Sequence, residues 1–220
     1  MLLSSLSNFS SLIFIIVAIL IAITVHEFSH ALVATWMGDS TAKLSGRLTL
    51  NPLAHLDPVG TIVLLVAGFG WGKPVPYNPH FVRRGVWGET AIAIAGPVSN
   101  IIVAALFALP NRIYILQTGH PASGNLFTLL ATIVVINVAL AAFNLFPIPP
   151  LDGSKVLYLI LDRLTFGNVA WWPSFERLGP MILLALLFAE RLFNINIIFR
   201  LLDPIIFLIN WITGASSPIF

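Results

Sequence analysis

The 220-residue sequence is 58% hydrophobic and only 9% charged, with 11 basic and 9 acidic side chains and a net charge of +2. With a mean hydropathy of +0.95, it lies far from soluble domains, where ~25% of residues are charged, and it reads as an integral membrane protein. The basic residues are scattered, which excludes a nucleic-acid-binding face, and the absence of cysteine excludes disulfides and thiolate ligands, leaving His, Asp and Glu to hold any metal.

The first apolar run, residues 9 to 37, is long enough to cross a bilayer and closes on Trp36-Met37-Gly38-Asp39, an interfacial aromatic followed by a helix-ending glycine. No Lys or Arg precedes Lys43, so the run is expected to be a retained span and not a removed signal peptide. Inside it stands His26-Glu27-Phe28-Ser29-His30, an HExxH pentad. Histidines at i and i+4 lie on one helix face and can address one metal, while the Glu between them can reach a water held there. Ionisable groups at membrane depth are costly, which makes function the default explanation for them. Counted from Ser10, His26 lies about 24 Å along the helix, toward its far end.

Residues 39 to 84 are too irregular for a span and are expected to form a re-entrant or interfacial unit with β structure. In residues 43 to 51, Leu44, Leu48 and Leu50 alternate with Ser45, Arg47 and Thr49, the period of a strand. Further spans are expected at 87 to 109, 125 to 147, about 179 to 193 and about 195 to 213, with a short amphipathic helix over 151 to 164. The fold class is therefore an all-α polytopic bundle of about five or six transmembrane helices with a small membrane-associated β-hairpin or sheet. Residues 1–220 are expected to form one membrane-embedded domain, since no soluble module fits between the spans. With the N-terminus outside, the inner loops carry Lys43, Arg47, Lys73, Arg83, Arg84, Lys155, Arg163 and Arg177, whereas the outer ones carry Arg112 and Arg191. That bias favours this orientation in a cell membrane and puts the histidines nearer the cytoplasmic face.

A catalytic zinc takes three protein ligands and keeps one position open, so His26 and His30 require a third donor. Asp152 is the candidate: Pro147, Pro149 and Pro150 interrupt helix just before it, Gly153 follows it, and an unwound segment can turn its carboxylate inward. The competing reading is a turn carboxylate capping the next helix. His55, His80 and His120 sit in turns and loops and are not expected to be ligands. Asn100 and Asn144 are amides within apolar spans, serving either chemistry or helix packing.

These motifs together resemble the site-2 protease family of intramembrane zinc metalloproteases. His26 to His30 is similar to its HExxH, Gly96-Pro97-Val98-Ser99-Asn100 to its GxxxN element, and Asn144 through Gly153 to its NxxPxPxLDG-type motif. The resemblance covers residues 9 to about 160 and is to the compact subgroup lacking PDZ and CBS modules. It implies one Zn2+ on His26, His30 and Asp152, Glu27 as general base, and hydrolysis of peptide bonds within or near transmembrane segments of membrane-protein substrates. Asn100 and Asn144 would then contact the oxyanion or the substrate. Two other classes compete. A metal-ion or proton transporter would use the same buried His and Asp residues but favours duplicated halves, which this sequence lacks. A catalytically idle membrane chaperone would have no use for Glu27. Oligomeric state is not indicated.

Overall fold

Three long apolar helices organise the chain in a computed structural model that describes residues 9–67, 70–120 and 122–193, together with residues 200, 203–204 and 207. Helix α1 spans Phe9–Trp36, α4 spans Val86–Thr118 and α5 spans Asn125–Asn144. Each is long and apolar enough to cross a membrane. The expected first and third spans match α1 and α5 to within a few residues, while the second runs past its expected end to a left-handed cap at Gly119. Pro97 and Pro110 lie inside α4 without ending it.

The three helices pack against one another, and the sequence of α1 shows why they approach so closely. Ala18, Ala22, His26, His30 and Ala34 recur at intervals of four and are all buried, which makes one ridge of small side chains interrupted only by the two imidazoles. Ala104 of α4 and Val134, Val138, Ala141 and Ala142 of α5 form the neighbouring core with Phe146 and Leu151. Large apolar side chains such as Ile102, Leu106 and Leu126 point outward and are exposed, the inverse of a soluble bundle and the arrangement a lipid surround requires.

Shorter elements surround this core: α2 (Thr41–Leu44), α3 (Pro58–Ala67), α6 (Gly153–Leu164) and α7 (Trp172–Phe193), with single 3-10 turns at Pro52–Ala54 and Pro79–Phe81. Helix α6 is the expected amphipathic segment. The expected fourth span falls inside α7, which does not join α1, α4 and α5 as a candidate membrane crossing. The fifth, at about 195 to 213, lies outside the described residues except at 200, 203–204 and 207.

The region 39 to 84 differs from its expected strand character. Among the described residues it holds no strand, only an isolated antiparallel bridge between Leu56 and Gly72 beside a hydrogen bond from Lys73 N to His55 O at 2.8 Å. Thr41–Leu44 is a helical turn, and the alternation from 43 to 51 runs against burial: Leu44 is 85% exposed and Leu50 62%, whereas Arg47 is 4% exposed. Period-two reasoning assigns leucines to a protein core, but beside a membrane lipid is an equally good destination for them, so alternation loses its meaning. Arg47 turns inward instead and donates through Nη2 to the carbonyl of Lys73.

One buried carboxylate ties this region down. Asp39 is fully buried and accepts hydrogen bonds from Thr41 N at 2.9 Å, Thr41 Oγ1 at 2.5 Å and Asn78 N at 2.6 Å. Burial alone pushes its pKa up, but these three donors outweigh that and hold it below its ordinary value. A group with a depressed folded pKa contributes stability above its unfolded value, and that stability is lost as pH falls through the folded value. Asp39→Ala is therefore expected to cost ~2–4 kcal/mol near neutral pH. Thermal unfolding in detergent should show the variant and parent converging in acid, below about pH 4; a gap unchanged between neutral and acid pH would count against this account.

Candidate metal centre

Helix α1 supplies two imidazoles one turn apart. The His26 and His30 rings lie 4.6 Å between centroids in an edge-to-face arrangement, and both residues are less than a tenth exposed. His26 Nδ1 contacts Asn100 Oδ1 of α4 at 2.6 Å, and His30 Nδ1 contacts the carbonyl of Ile92, also on α4, at 2.7 Å. Both partners are acceptors, so each Nδ1 carries the proton and each Nε2 of a neutral ring presents a lone pair. The two lone pairs face the same place.

The third group comes from the proline-broken segment after α5. Gly153 lets that segment fold back on itself: a Cβ there would stand 2.0 Å from the carbonyl oxygen of Leu145, so no residue with a side chain permits the approach. Asp152 is the N-cap residue of α6, yet its carboxylate makes no capping hydrogen bond. Its Oδ2 lies 3.2 Å from His26 Nε2 and 3.4 Å from His30 Nε2. The three ligand atoms lie within 4.8 Å of one another. Asp152 thus joins the histidines across more than 120 residues of sequence, and the capping alternative does not describe it.

The donor set fits a divalent cation on grounds of its own chemistry. Asp152 Oδ2 is buried and has no hydrogen-bond partner, while both neighbouring Nε2 atoms are acceptors in the neutral rings, so three lone-pair donors converge with no proton between them. A cation resolves that conflict, and two His with one carboxylate is a known zinc ligand set with a position left open. Helix α4 also leaves room at the imidazoles. A Cβ on Gly96 of α4 would come within 2.5 Å of His30 Nε2 and 2.7 Å of His26 Nε2. The GxxxN element therefore brings bare backbone against the imidazoles four residues before Asn100 accepts from one of them.

Glu27 is half-buried and is not one of the three convergent ligands. A Cβ at Gly72 would lie 3.6 Å from its Oε1, so the bridge residue Gly72 lies beside this carboxylate. Asn100 is fully buried, and its amide is committed: besides accepting from His26, it donates through Nδ2 to Ala22 O at 3.0 Å and to Asn137 Oδ1 at 2.8 Å. Asn144 is half-buried, and its Nδ2 donates to Leu140 O at 3.0 Å within its own helix. His55 is fully buried and its Nε2 contacts the carbonyl of Thr49 at 2.8 Å, while His80 and His120 are exposed.

Sequence reading did not single out Ile92 and Asn137. Ile92 acts through its backbone carbonyl and leaves no trace in residue type. Asn137 did leave one, as an amide in the middle of the apolar helix that ends at Asn144.

Comparison with known proteins gives a consistent result. Residues 108–189 match the family model described as Peptidase family M50. The chain is 40% identical over 176 residues to the Bacillus subtilis protein named "Putative zinc metalloprotease YwhC", covering 79% of each chain. It is 32% identical over 193 residues to the Mycolicibacterium smegmatis protein named "Putative zinc metalloprotease Rip2", covering 85% of this chain and 71% of that one. It is 25% identical over 203 residues to zinc metalloprotease MJ0392 of Methanocaldococcus jannaschii, covering 91% of this chain and 49% of that one. No solved structure matches.

Proposed function

Because the chain belongs to peptidase family M50, with zinc as its cofactor and helices suited to a lipid bilayer, we propose that it is an intramembrane metalloendopeptidase. Its substrates are membrane proteins, cut within or near their transmembrane segments. The observation that carries this reading is the convergence of His26, His30 and Asp152 beside three apolar helices. In this reading those three residues hold the zinc. A zinc ion bound there would supply an acidified water, its pKa lowered toward neutrality, and Lewis-acid polarisation of the scissile carbonyl.

The chain's own residues do the rest. Glu27 takes a proton from the attacking water and delivers it to the leaving amine, so that one carboxylate serves in turn as base and acid. Asn144 uses one amide hydrogen on Leu140 O and keeps a second for the oxyanion, a contribution Asn100 is less able to make because both of its amide hydrogens are engaged.

The whole chain acts as one membrane-embedded domain built around α1, α4 and α5. The N-terminus lies outside and the histidines nearer the cytoplasmic face in this reading, an orientation the bias of basic residues favours. A transporter using the same residues is disfavoured, because the relatives are named as metalloproteases and no second His-Glu-His pattern is present.

Purified protein in liposomes, with a single-span test protein, tests the proposal through its metal. Chelation is expected to reduce cleavage to the background rate, and an equimolar addition of zinc to restore it, with the cut mapped by mass spectrometry to the membrane-spanning segment. Full activity in protein shown to be free of zinc, or a cut confined to soluble loops far from the segment, would overturn it.

A further inference from the structure

Asn100 and Asn137 form a buried chain of amides that ends on His26. Both are fully buried. Asn137 Nδ2 donates to Ile133 O at 2.8 Å within α5, its Oδ1 accepts from Asn100 Nδ2 at 2.8 Å, and Asn100 Oδ1 accepts from His26 Nδ1 at 2.6 Å. Each end of this chain is pinned by a backbone carbonyl, Ile133 O at one and Ala22 O at the other. Since a carbonyl can only accept, both amide orientations are set by the contacts and not by choice.

The two histidines are held by different means. His30 leans on a backbone carbonyl, which always accepts. His26 leans on a side-chain amide, which would present the opposite hydrogen-bonding character if it turned over. A reversed Asn100 would aim its NH2 at His26 Nδ1, favour a lone pair there, and move the ring proton to Nε2, the atom that faces His30 and Asp152. A ring protonated on Nε2 cannot ligate through that atom.

We propose that Asn137 is a positioning residue for the metal centre, locking the Asn100 amide and through it the tautomer and orientation of His26. A reversed Asn100 would meet Asn137 Oδ1 and Ala22 O with its own carbonyl oxygen, opposing acceptors at membrane depth where no water relieves them. The lock lies on α5, the same helix that leads into the Asp152 turn, so α5 contributes to the centre at two points. This inference rests on His26 being a metal ligand.

Zinc affinity of the purified full-length chain, measured by competition with a chromophoric chelator, tests it without reference to activity. Asn137→Leu is expected to weaken zinc binding about 10–100-fold, the usual effect of removing a ligand's hydrogen-bonding support. Asn137→Asp, whose protonated carboxyl keeps both the oxygen that accepts from Asn100 and a donor toward Ile133 O, should recover most of that loss. In a double-mutant cycle, Asn137→Leu should add little once Asn100→Ala has removed the acceptor for His26, whereas an effect on helix packing alone would add in full. If the leucine variant does not fold, Asn137→Ser carries the same expectation with no added bulk. His26→Ala separates the two levels of the argument: unchanged zinc affinity in that variant sinks the ligand assignment itself. Lost affinity there, with near-normal affinity in the Asn137 variants or additive effects in the cycle, overturns only the role given to Asn137.

Discussion

Glu27→Gln is expected to lower peptide-bond hydrolysis by about 10²–10⁴-fold while leaving zinc bound. The expectation follows from where Glu27 stands. It lies between the two histidines in sequence but outside the group of convergent ligand atoms, so exchanging its carboxylate for an amide of the same shape leaves the metal's own donors untouched. What changes is proton handling: an amide can orient a water but cannot take its proton, and the leaving amine then has no nearby acid. Gly72 packs close to Glu27 Oε1, and glutamine fits the same space, so the fold should be preserved. Zinc content of the purified variant by elemental analysis, set beside its rate on a single-span substrate, reads both halves. A variant that cuts at more than a tenth of the parent rate would remove Glu27 from the role of base. Loss of zinc in step with activity would make it a ligand.

The site was legible in the sequence to an unequal degree, for reasons that differ residue by residue. His26 and His30 announced themselves because helical periodicity converts a four-residue spacing into a shared face, and because lipid makes ionisable side chains expensive to keep without a use. Asp152 could be put forward because three prolines and a glycine break regular structure around it. Those residues suit a helix cap equally well, and it was the HExxH together with the resemblance of Asn144 through Gly153 to a family motif that favoured a ligand. Residues 39 to 84 were read less well. Leu44 and Leu50 alternate as a strand would, but they are exposed and the inward-facing group is Arg47, which satisfies the carbonyl of Lys73. In a membrane the alternation of apolar and polar residues no longer says which side is the core. The amides show a further limit. Residue type allowed Asn100 to be an oxyanion contact, a substrate contact or packing, and only the directions of three hydrogen bonds show it supporting His26.

Gly96→Ala is expected to weaken zinc binding by at least about 100-fold and to abolish hydrolysis with it. Helix propensity alone predicts the opposite sign for stability, since alanine is favoured over glycine within a helix by about 1 kcal/mol. What decides the outcome is the space facing α1. The added methyl would stand 2.5 Å from His30 Nε2, 2.6 Å from His26 Cε1 and 2.7 Å from His26 Nε2, distances that real side chains do not adopt. The rings cannot withdraw freely, because each is tethered through Nδ1, His30 to Ile92 O and His26 to Asn100 Oδ1, and both tethers sit on the same helix that carries the methyl. Relief must come either from rotating the imidazoles out of line with Asp152 or from prising α4 away from the small-residue ridge of α1, and both disperse the three donors. Helical content by circular dichroism should remain close to that of the parent, which distinguishes a displaced centre from an unfolded chain. A Gly96→Ala protein that retains one zinc at parental affinity would show that the histidines do not occupy the space assigned to them.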